Sequence, residues 1–470
     1  MDNQFYEYAQ SVSKEKKKQL GIVYTPYEIV DYINTLTLSM WDSKNGIPKV
    51  VDPCCGTGVF LHDMVCKISE KWSISYEEVC EKYVYGYDLD PDALKICSEN
   101  LPGCKLIHGN SLAVDYSEYD IIVTNPPYIR IQNLNETTRT FIKKSFEYCD
   151  GDTDIYIAFL EKFFKSKKIV GLICPNSWIR NKGTTRLRNT LYDNRSISEL
   201  IDFKDRFIFD DVQAYTSIVA MSPKASTHLS YSNCMQEPVV KINYTHSSSN
   251  RIFSGLQSIS NSKNNNLLNY CDIKVGLATL CDGIYFGEVL GPTDGDLCNF
   301  KTKYGTFSIE LSALRKCVKA SKLSNIKENT YIIFPYDHNN KLLKESMLKN
   351  KYPLTYQYLL DHKGILLARD KGKIDKNNWY GYGRTQGLSN NREKLLIPPM
   401  HKDKLSLRYS SEDELYISGY AIFPKDGTSF SEICSMFEST ELFDWIKSGG
   451  KTFSGGWYGV SKQLFKDYIF

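Results

Sequence analysis

Short β-type runs alternate with helical pattern through the first half of the chain, and this alternation constrains the fold more than any other feature. Strands joined through helices lie parallel, and a parallel sheet must be covered on both faces. The candidate strands are Lys49–Asp52, Tyr83–Asp88, Lys105–His108, Asp120–Thr124, Ile169–Cys174, Ile197–Phe203 and Ser217–Met221. Between them, Val59–Glu70 sets Phe60, Met64 and Ile68 on one helical face. Pro91–Asn100 begins with proline after Asp90, an acceptable cap. Ile155–Phe164 is apolar and aromatic at helical spacing. No long helix separates 197–203 from 217–221, so these two runs are expected to end the sheet as an antiparallel pair.

A composition change divides the chain. The stretch from Ser247 to Asn266 is dominated by Ser, Asn and Lys and reads as a link, giving domains at 1–250 and 251–470. The first 250 residues hold 28 basic against 32 acidic side chains, and the remainder 30 against 23. The second half is therefore the basic one and could meet a polyanion, although a solvated face would read the same way. No run of about 18 apolar residues occurs, so no membrane helix is expected, and the charged N-terminus has no signal-peptide core. Fourteen cysteines without a CxxC pair argue against a zinc ribbon and for reduced, packed thiols. No metal is implied.

The segment Val50-Val51-Asp52-Pro53-Cys54-Cys55-Gly56-Thr57-Gly58 joins a β run to a helix. Two glycines one residue apart allow a sharp turn and a close ligand approach, and the following helix offers unpaired N–H groups. Leu61 stands where a dinucleotide fingerprint needs its third glycine. A carboxylate at Asp52 would repel a pyrophosphate but attract an ammonium or sulfonium. That favours S-adenosylmethionine over a nucleotide phosphate. Asp88, ending the next strand, can accept both ribose hydroxyls of a nucleoside. About thirty residues separate it from Gly56, against the usual twenty or so, because a helical stretch at Ser73–Lys82 intervenes. Asp90 reads better as a helix cap.

The most specific stretch is Asp120-Ile121-Ile122-Val123-Thr124-Asn125-Pro126-Pro127-Tyr128. Two prolines restrict the backbone so that the Asn125 side chain and the Pro126 carbonyl can be held rigidly. An exocyclic amino nitrogen on a base is a poor nucleophile because its lone pair is delocalised. Two acceptors taking its N–H protons, Asn125 Oδ1 and the Pro126 carbonyl, would draw it toward tetrahedral geometry. Pro127 completes the corner, and Tyr128 offers a face on which a base can stack, worth about 1–3 kcal/mol.

With these motifs in this order, residues 20–225 resemble the gamma-class, TaqI-type N6-adenine DNA methyltransferases of restriction–modification systems. The resemblance rests on Tyr24-Thr25-Pro26 with Ile29-Val30-Asp31-Tyr32, on DPCCGTGVFL, on YGYDLDP and on NPPY. It implies an S-adenosylmethionine-binding, Rossmann-like sheet, mostly parallel with an antiparallel edge strand, and a C-terminal mixed α/β target-recognition domain. Thr25, Asp52, Pro53, Cys54, Gly56, Gly58, Asp88 and Asn110 are then cofactor contacts. Asn110 stands where the family usually has Asp, which puts its contact with the adenine amino group in doubt. A second aromatic sandwiching a flipped base is expected near Arg206–Gln213, with Phe209 chosen and Phe207 as the alternative. The partner implied is duplex DNA, with a cognate restriction endonuclease in the same system; the protein itself is expected to be cytoplasmic and monomeric. N4-cytosine methylation and RNA or protein-glutamine methylation use similar motifs and stay open.

In the second half, Asp272–Thr279 with Asp282-Gly283 looks like the opening of the family's recognition domain. Asn378–Arg384 and Thr452–Tyr458 combine glycines with aromatics. Trp379, Tyr382, Arg384 and Trp457, with Lys371 and Lys373 from the basic run Lys363, Arg369, Lys371, Lys373 and Lys376, are the candidate DNA contacts. For the aromatics, a place in a small core is an equally good reading.

Overall fold

The computed structural model describes all residues except 1–4, 6–7, 9–10, 22, 150–152, 210–213, 237–238, 245–248, 256–264, 293–294, 326–327, 386 and 469. The chain divides into two compact units, Met1–Ile259 and Ser260–Phe470.

The first unit is built on a nine-stranded sheet. Its strands are β1 (Val50–Asp52), β2 (Val84–Asp88), β3 (Lys105–His108), β4 (Ile121–Thr124), β5 (Ile169–Pro175), β6 (Ile197–Phe207), β7 (Tyr215–Met221), β8 (His228–Ser232) and β9 (Val240–Asn243). Their spatial order is β3-β2-β1-β4-β5-β7-β6-β8-β9. The first five are mutually parallel, and β7 enters antiparallel between β5 and β6. The sheet does not end at that pair, because β8 adds parallel to β6 and β9 antiparallel to β8. The expected edge is thus internal. The runs forming β8 and β9 are short and partly polar, with no alternation long enough to register as strands.

Alternate strand residues feed two cores, one on each face of the sheet. Val51 and Ile122 point into one with the helix Tyr156–Ser166, while Val50, Ile121 and Val123 point into the other with the helices Tyr27–Met40 and Val59–Trp72. The period of two along each strand produces this division. The helix Val59–Trp72 buries Phe60, Met64 and Ile68, together with Val59, Leu61 and Val65. The helix Pro91–Asn100 starts on its proline with Asp90 capping the Asp92 amide. A short helix at Tyr76–Lys82, capped by Ser75, accounts for the long spacing between Gly56 and Asp88. Much of the expected link lies outside the described residues, but Ile252 and Phe253 within it pack into the core of the first unit.

The second unit carries three sheets among its described residues. One has six strands, in the order Gly305–Glu310, Leu297–Thr302, Phe286–Pro292, Thr330–Ile333, Leu314–Lys319 and Leu415–Ile417. A four-stranded sheet places Cys271–Val275 against Tyr420–Pro424, and a three-stranded one includes the hairpin Lys451–Phe453 and Trp457–Gly459. Its main core is unusually aromatic, with Tyr285, Phe300, Tyr336, Tyr358, Trp379, Tyr380 and Tyr382 all buried. No helix among the described residues is long and apolar enough to cross a membrane.

Candidate functional site

A cavity of about 910 Å³ opens where the carboxyl ends of β1, β2 and β4 meet, the usual ligand position in a doubly wound sheet. Its wall gathers Thr25, Pro53, Cys54, Gly56, Asp88, Asn110, Asn125 and Pro127. Most of these residues converge because each sits at or just beyond a strand end of one sheet, while Thr25 is brought in by the segment before the helix Tyr27–Met40 and held by Asn125 Nδ2.

The glycine turn has two different jobs. Gly56 lies at φ +51°, and a Cβ built there would meet nothing within 4 Å, so its surface is open to a ligand. Its amide donates to Asp88 Oδ2 at 2.8 Å, and the Asp90 amide donates to Asp88 Oδ1 at 2.8 Å. Gly58, at φ +97°, serves packing instead. A Cβ there would fall 2.6 Å from Cys97 Sγ and 2.9 Å from Leu101 Cδ1, and the residue is not on the cavity wall. Asp52 is also behind the wall. It is buried beneath the turn and accepts the Cys54 amide at 2.9 Å. Burial pushes its carboxyl up to about 7, against the pull of the Thr124 hydroxyl and the Cys54 amide. Burial raises Asp88 as well, opposed by the Asp90 and Gly56 amides.

Asp90 is the cap it was expected to be, and it is also an anchor. Its carboxylate accepts Tyr8 Oη at 2.7 Å and Lys16 Nζ at 2.9 Å. Burial works against the charge, but these bonds win and hold the carboxyl below its ordinary value. Asn110 Oδ1 accepts the Leu112 amide at 3.1 Å, capping a short helical turn. The oxygen expected to read a base thus holds one bond within the chain and keeps its second lone pair.

Asn125 has the most telling surroundings. Its Nδ2 donates to Val23 O at 3.2 Å and Thr25 Oγ1 at 3.0 Å. Its Oδ1 has no hydrogen-bond partner although it is buried. An unpaired buried carbonyl normally costs about 1–3 kcal/mol, so its persistence marks a place for a donor from outside. The corner is braced from the N-terminal segment. A Cβ on Gly21, at φ +64°, would meet Ile129 Cγ1 at 2.7 Å and the Tyr128 amide nitrogen at 2.9 Å. Pro126 is buried. Tyr128 is half-buried, with its hydroxyl donating to Ile173 O at 3.4 Å.

Phe209 lies 6.2 Å from Tyr128, centroid to centroid, at 64°. Phe207 is half exposed and pairs with Tyr215. The two rings expected to sandwich a base are therefore neighbours, but they meet edge to face. Edge to face they leave no slot for a planar guest, Phe209 is buried, and neither ring is on the cavity wall. Residues 210–213, next to Phe209, lie outside the described residues. Tyr24, Leu89, Phe159 and the Asn133–Asn135 stretch also line the cavity and were not foreseen. The Asn133–Asn135 stretch carries one signal that could have found it, an Asn135 helix cap accepting the Thr138 amide just after the double proline.

The candidate contacts of the second unit separate sharply. Trp379 is fully buried with its indole N–H on Glu345, and Tyr382 is buried with its hydroxyl on Ile333 O at 2.6 Å. Neither presents a face to DNA, and the reading of both as DNA contacts is corrected. Arg369 is likewise buried, donating to four backbone carbonyls, and cannot track phosphates. Lys371, Lys373, Arg384 and Trp457 are exposed. No group of three or more His, Cys, Asp or Glu that could hold a metal occurs among the described residues.

A glycine turn, a carboxylate one strand over and an asparagine–proline corner thus meet around one cavity. Comparisons with known proteins give similarities to restriction–modification methylases. Residues 105–209 match the family model described as Eco57I restriction-modification methylase. RM.Eco57I of Escherichia coli, a Type II restriction enzyme and methyltransferase, is 22% identical over 80% of this chain and 48% of its own length. The Type II methyltransferase M.BanIII of Aneurinibacillus aneurinilyticus is 22% identical over 87% of this chain and 82% of its own. The chain thus spans about half the length of the Escherichia coli relative, and 37% of M.HincII from Haemophilus influenzae. The Type IIL restriction-modification enzyme MmeI, solved in complex with DNA, shares the fold: the TM-score is 0.65 at 13% identity, over 97% of this chain and 69% of that one.

Proposed function

We propose that this protein is a site-specific DNA methyltransferase that transfers a methyl group from S-adenosylmethionine to N6 of a flipped adenine. In this reading residues 1–250 form the catalytic domain and 251–470 read the target. The observation behind it is the Asn125 carboxamide on the cavity wall, tied down by its nitrogen while its buried oxygen is unpaired. Relatives named as Type II methyltransferases support methyl transfer as the class of reaction.

The residues present fit the cofactor. Gly56 leaves space at the turn, and Asp88 can accept the ribose hydroxyls. Thr25, Pro53, Cys54 and Asn110 complete the wall. When bound, S-adenosylmethionine supplies an electrophilic methyl on a sulfonium. Flipping costs the DNA a few kcal/mol of unstacking, which Tyr128 and a displaced Phe209 offset by stacking on the extruded base. Asn125 Oδ1 accepts a hydrogen bond from one N–H of the amino group and the Pro126 carbonyl from the other, and the proton that the nitrogen sheds on methylation passes to solvent. The rigid corner thereby frees the nitrogen lone pair and aims it, so positioning and fixed dipoles lower the barrier. Cys54 has no nucleophilic part, since burial holds its thiol well above its ordinary value.

Long-read sequencing of DNA from cells expressing the protein tests this. N6-methyladenine at one sequence motif is the expected result. N4-methylcytosine would move the reaction to the other amino base, and unmodified DNA would reject the reading.

A further inference from the structure

Leu280 is out of place by the ordinary rules of a soluble domain. It lies at φ +58°, a conformation that L side chains rarely adopt, and it is 42% exposed. Glycine or asparagine would relieve the backbone, and a leucine this exposed buries little in return. One exposed leucine is ordinary by itself, but strain held in place by its surroundings points to use.

The surroundings do hold it. The Cys281 amide donates to Thr279 Oγ1 at 3.0 Å, and that hydroxyl donates to Asp282 Oδ1 at 2.7 Å. The buried Arg369 guanidinium ties this loop to a second one. Its Nη1 donates to Thr279 O at 2.7 Å and to Gly381 O at 3.0 Å, and its Nη2 donates to Trp379 O at 2.6 Å. The loops also pair directly, Ala278 with Arg384, through the Arg384 amide and Ala278 O at 3.0 Å. A Cβ on Gly383 would fall 2.3 Å from Leu280 Cδ1, so only glycine lets the leucine lie across the neighbouring backbone. The result is one braced platform bearing an exposed apolar side chain beside the exposed Arg384.

An arginine next to a rigid apolar side chain suits the groove of duplex DNA. The guanidinium finds acceptors on base edges, and the apolar group packs against the stacked bases. We propose that Leu280 and Arg384 form a single duplex-DNA contact, Arg384 reading a base edge and Leu280 packing against the adjoining base step. This rests on the methyltransferase reading and goes beyond it by placing part of the specificity on one platform.

The test compares the full-length wild type with Leu280→Asn, Arg384→Ala and, as a surface control, Leu290→Asn. Each is expressed in a host lacking adenine methylation. Modified sites are read by long-read sequencing, and each purified protein is melted. Leu280→Asn should melt at or above the wild-type temperature yet modify its sites roughly tenfold more slowly. Arg384→Ala should admit other bases at one position of the motif. Leu290→Asn should behave as wild type. Wild-type motif and rate in both variants would overturn the inference while leaving the methyltransferase reading intact. A slower Leu280→Asn that also melts earlier would overturn it too, as a fold effect. A wild type that modifies no DNA would remove both.

Discussion

Two segments of this chain look alike on paper, and the structure uses them in opposite ways. Asn125–Tyr128 and Asn378–Arg384 both mix an amide, rigid or small residues and aromatic rings. The first follows β4 and places Asn125 on a cavity wall with its buried amide oxygen unpaired. The second turns Trp379, Tyr380 and Tyr382 into an aromatic core and exposes Asn378 and Arg384 at its two ends. The difference lies in what stands behind each. The strand ends of one sheet already support the first corner, whereas in the second unit the rings are themselves the core.

Breaking the second segment should cost the most. Trp379→Ala should destabilise the protein by about 3–5 kcal/mol in denaturant unfolding, as for other buried tryptophans. A loss below 1 kcal/mol would mean that the ring is not core. Next, Asn125→Ala should reduce methyl transfer by about 10²–10³-fold, roughly 3–4 kcal/mol, while calorimetric cofactor binding stays nearly constant. Equal loss of both would make Asn125 a cofactor residue.

The buried Asp52 sharpens the account of the first site. Its folded value, about 7, lies above the ordinary carboxylate value. The folded state therefore holds a proton that the unfolded chain has released. This contribution to stability is full below the unfolded value and is lost as pH rises to about 7. Asp52→Asn should remove a decline on the order of 2 kcal/mol between pH 5 and pH 8, seen as a flatter set of denaturation midpoints. An unchanged slope would move the titration to another group. Asp88→Ala should weaken cofactor affinity by roughly tenfold, about 1.4 kcal/mol, and unchanged binding would shift the ribose contact elsewhere. The smallest effect belongs to Trp457→Ala, whose exposed ring should leave stability within about 0.5 kcal/mol. A larger loss would show that the hairpin, too, is core.

The first sheet was legible because each strand carries its own apolar run and each helix its own period. Val50–Asp52, Ile121–Thr124 and Pro91–Asn100 all fall within a residue or so of their expected bounds. β8 and β9 were not legible, since their mixed polar sequences carry no apolar run and pair only where a neighbouring edge supplies hydrogen bonds. Phe209 rather than Phe207 beside Tyr128 was a matter of choice until the bulged end of β6 placed them.

Local chemistry alone determined that Asn125 would be rigid, that Gly56 would turn sharply and that a carboxylate would close the next strand. Prolines, glycines and strand periodicity act over a few residues and need no partner. Which glycine borders the cavity, how the Asn125 amide is held and which tryptophan disappears into a core were decided only by packing. Each depends on atoms supplied from distant parts of the chain: Cys97 against Gly58, Thr25 holding Asn125, and Glu345 meeting Trp379.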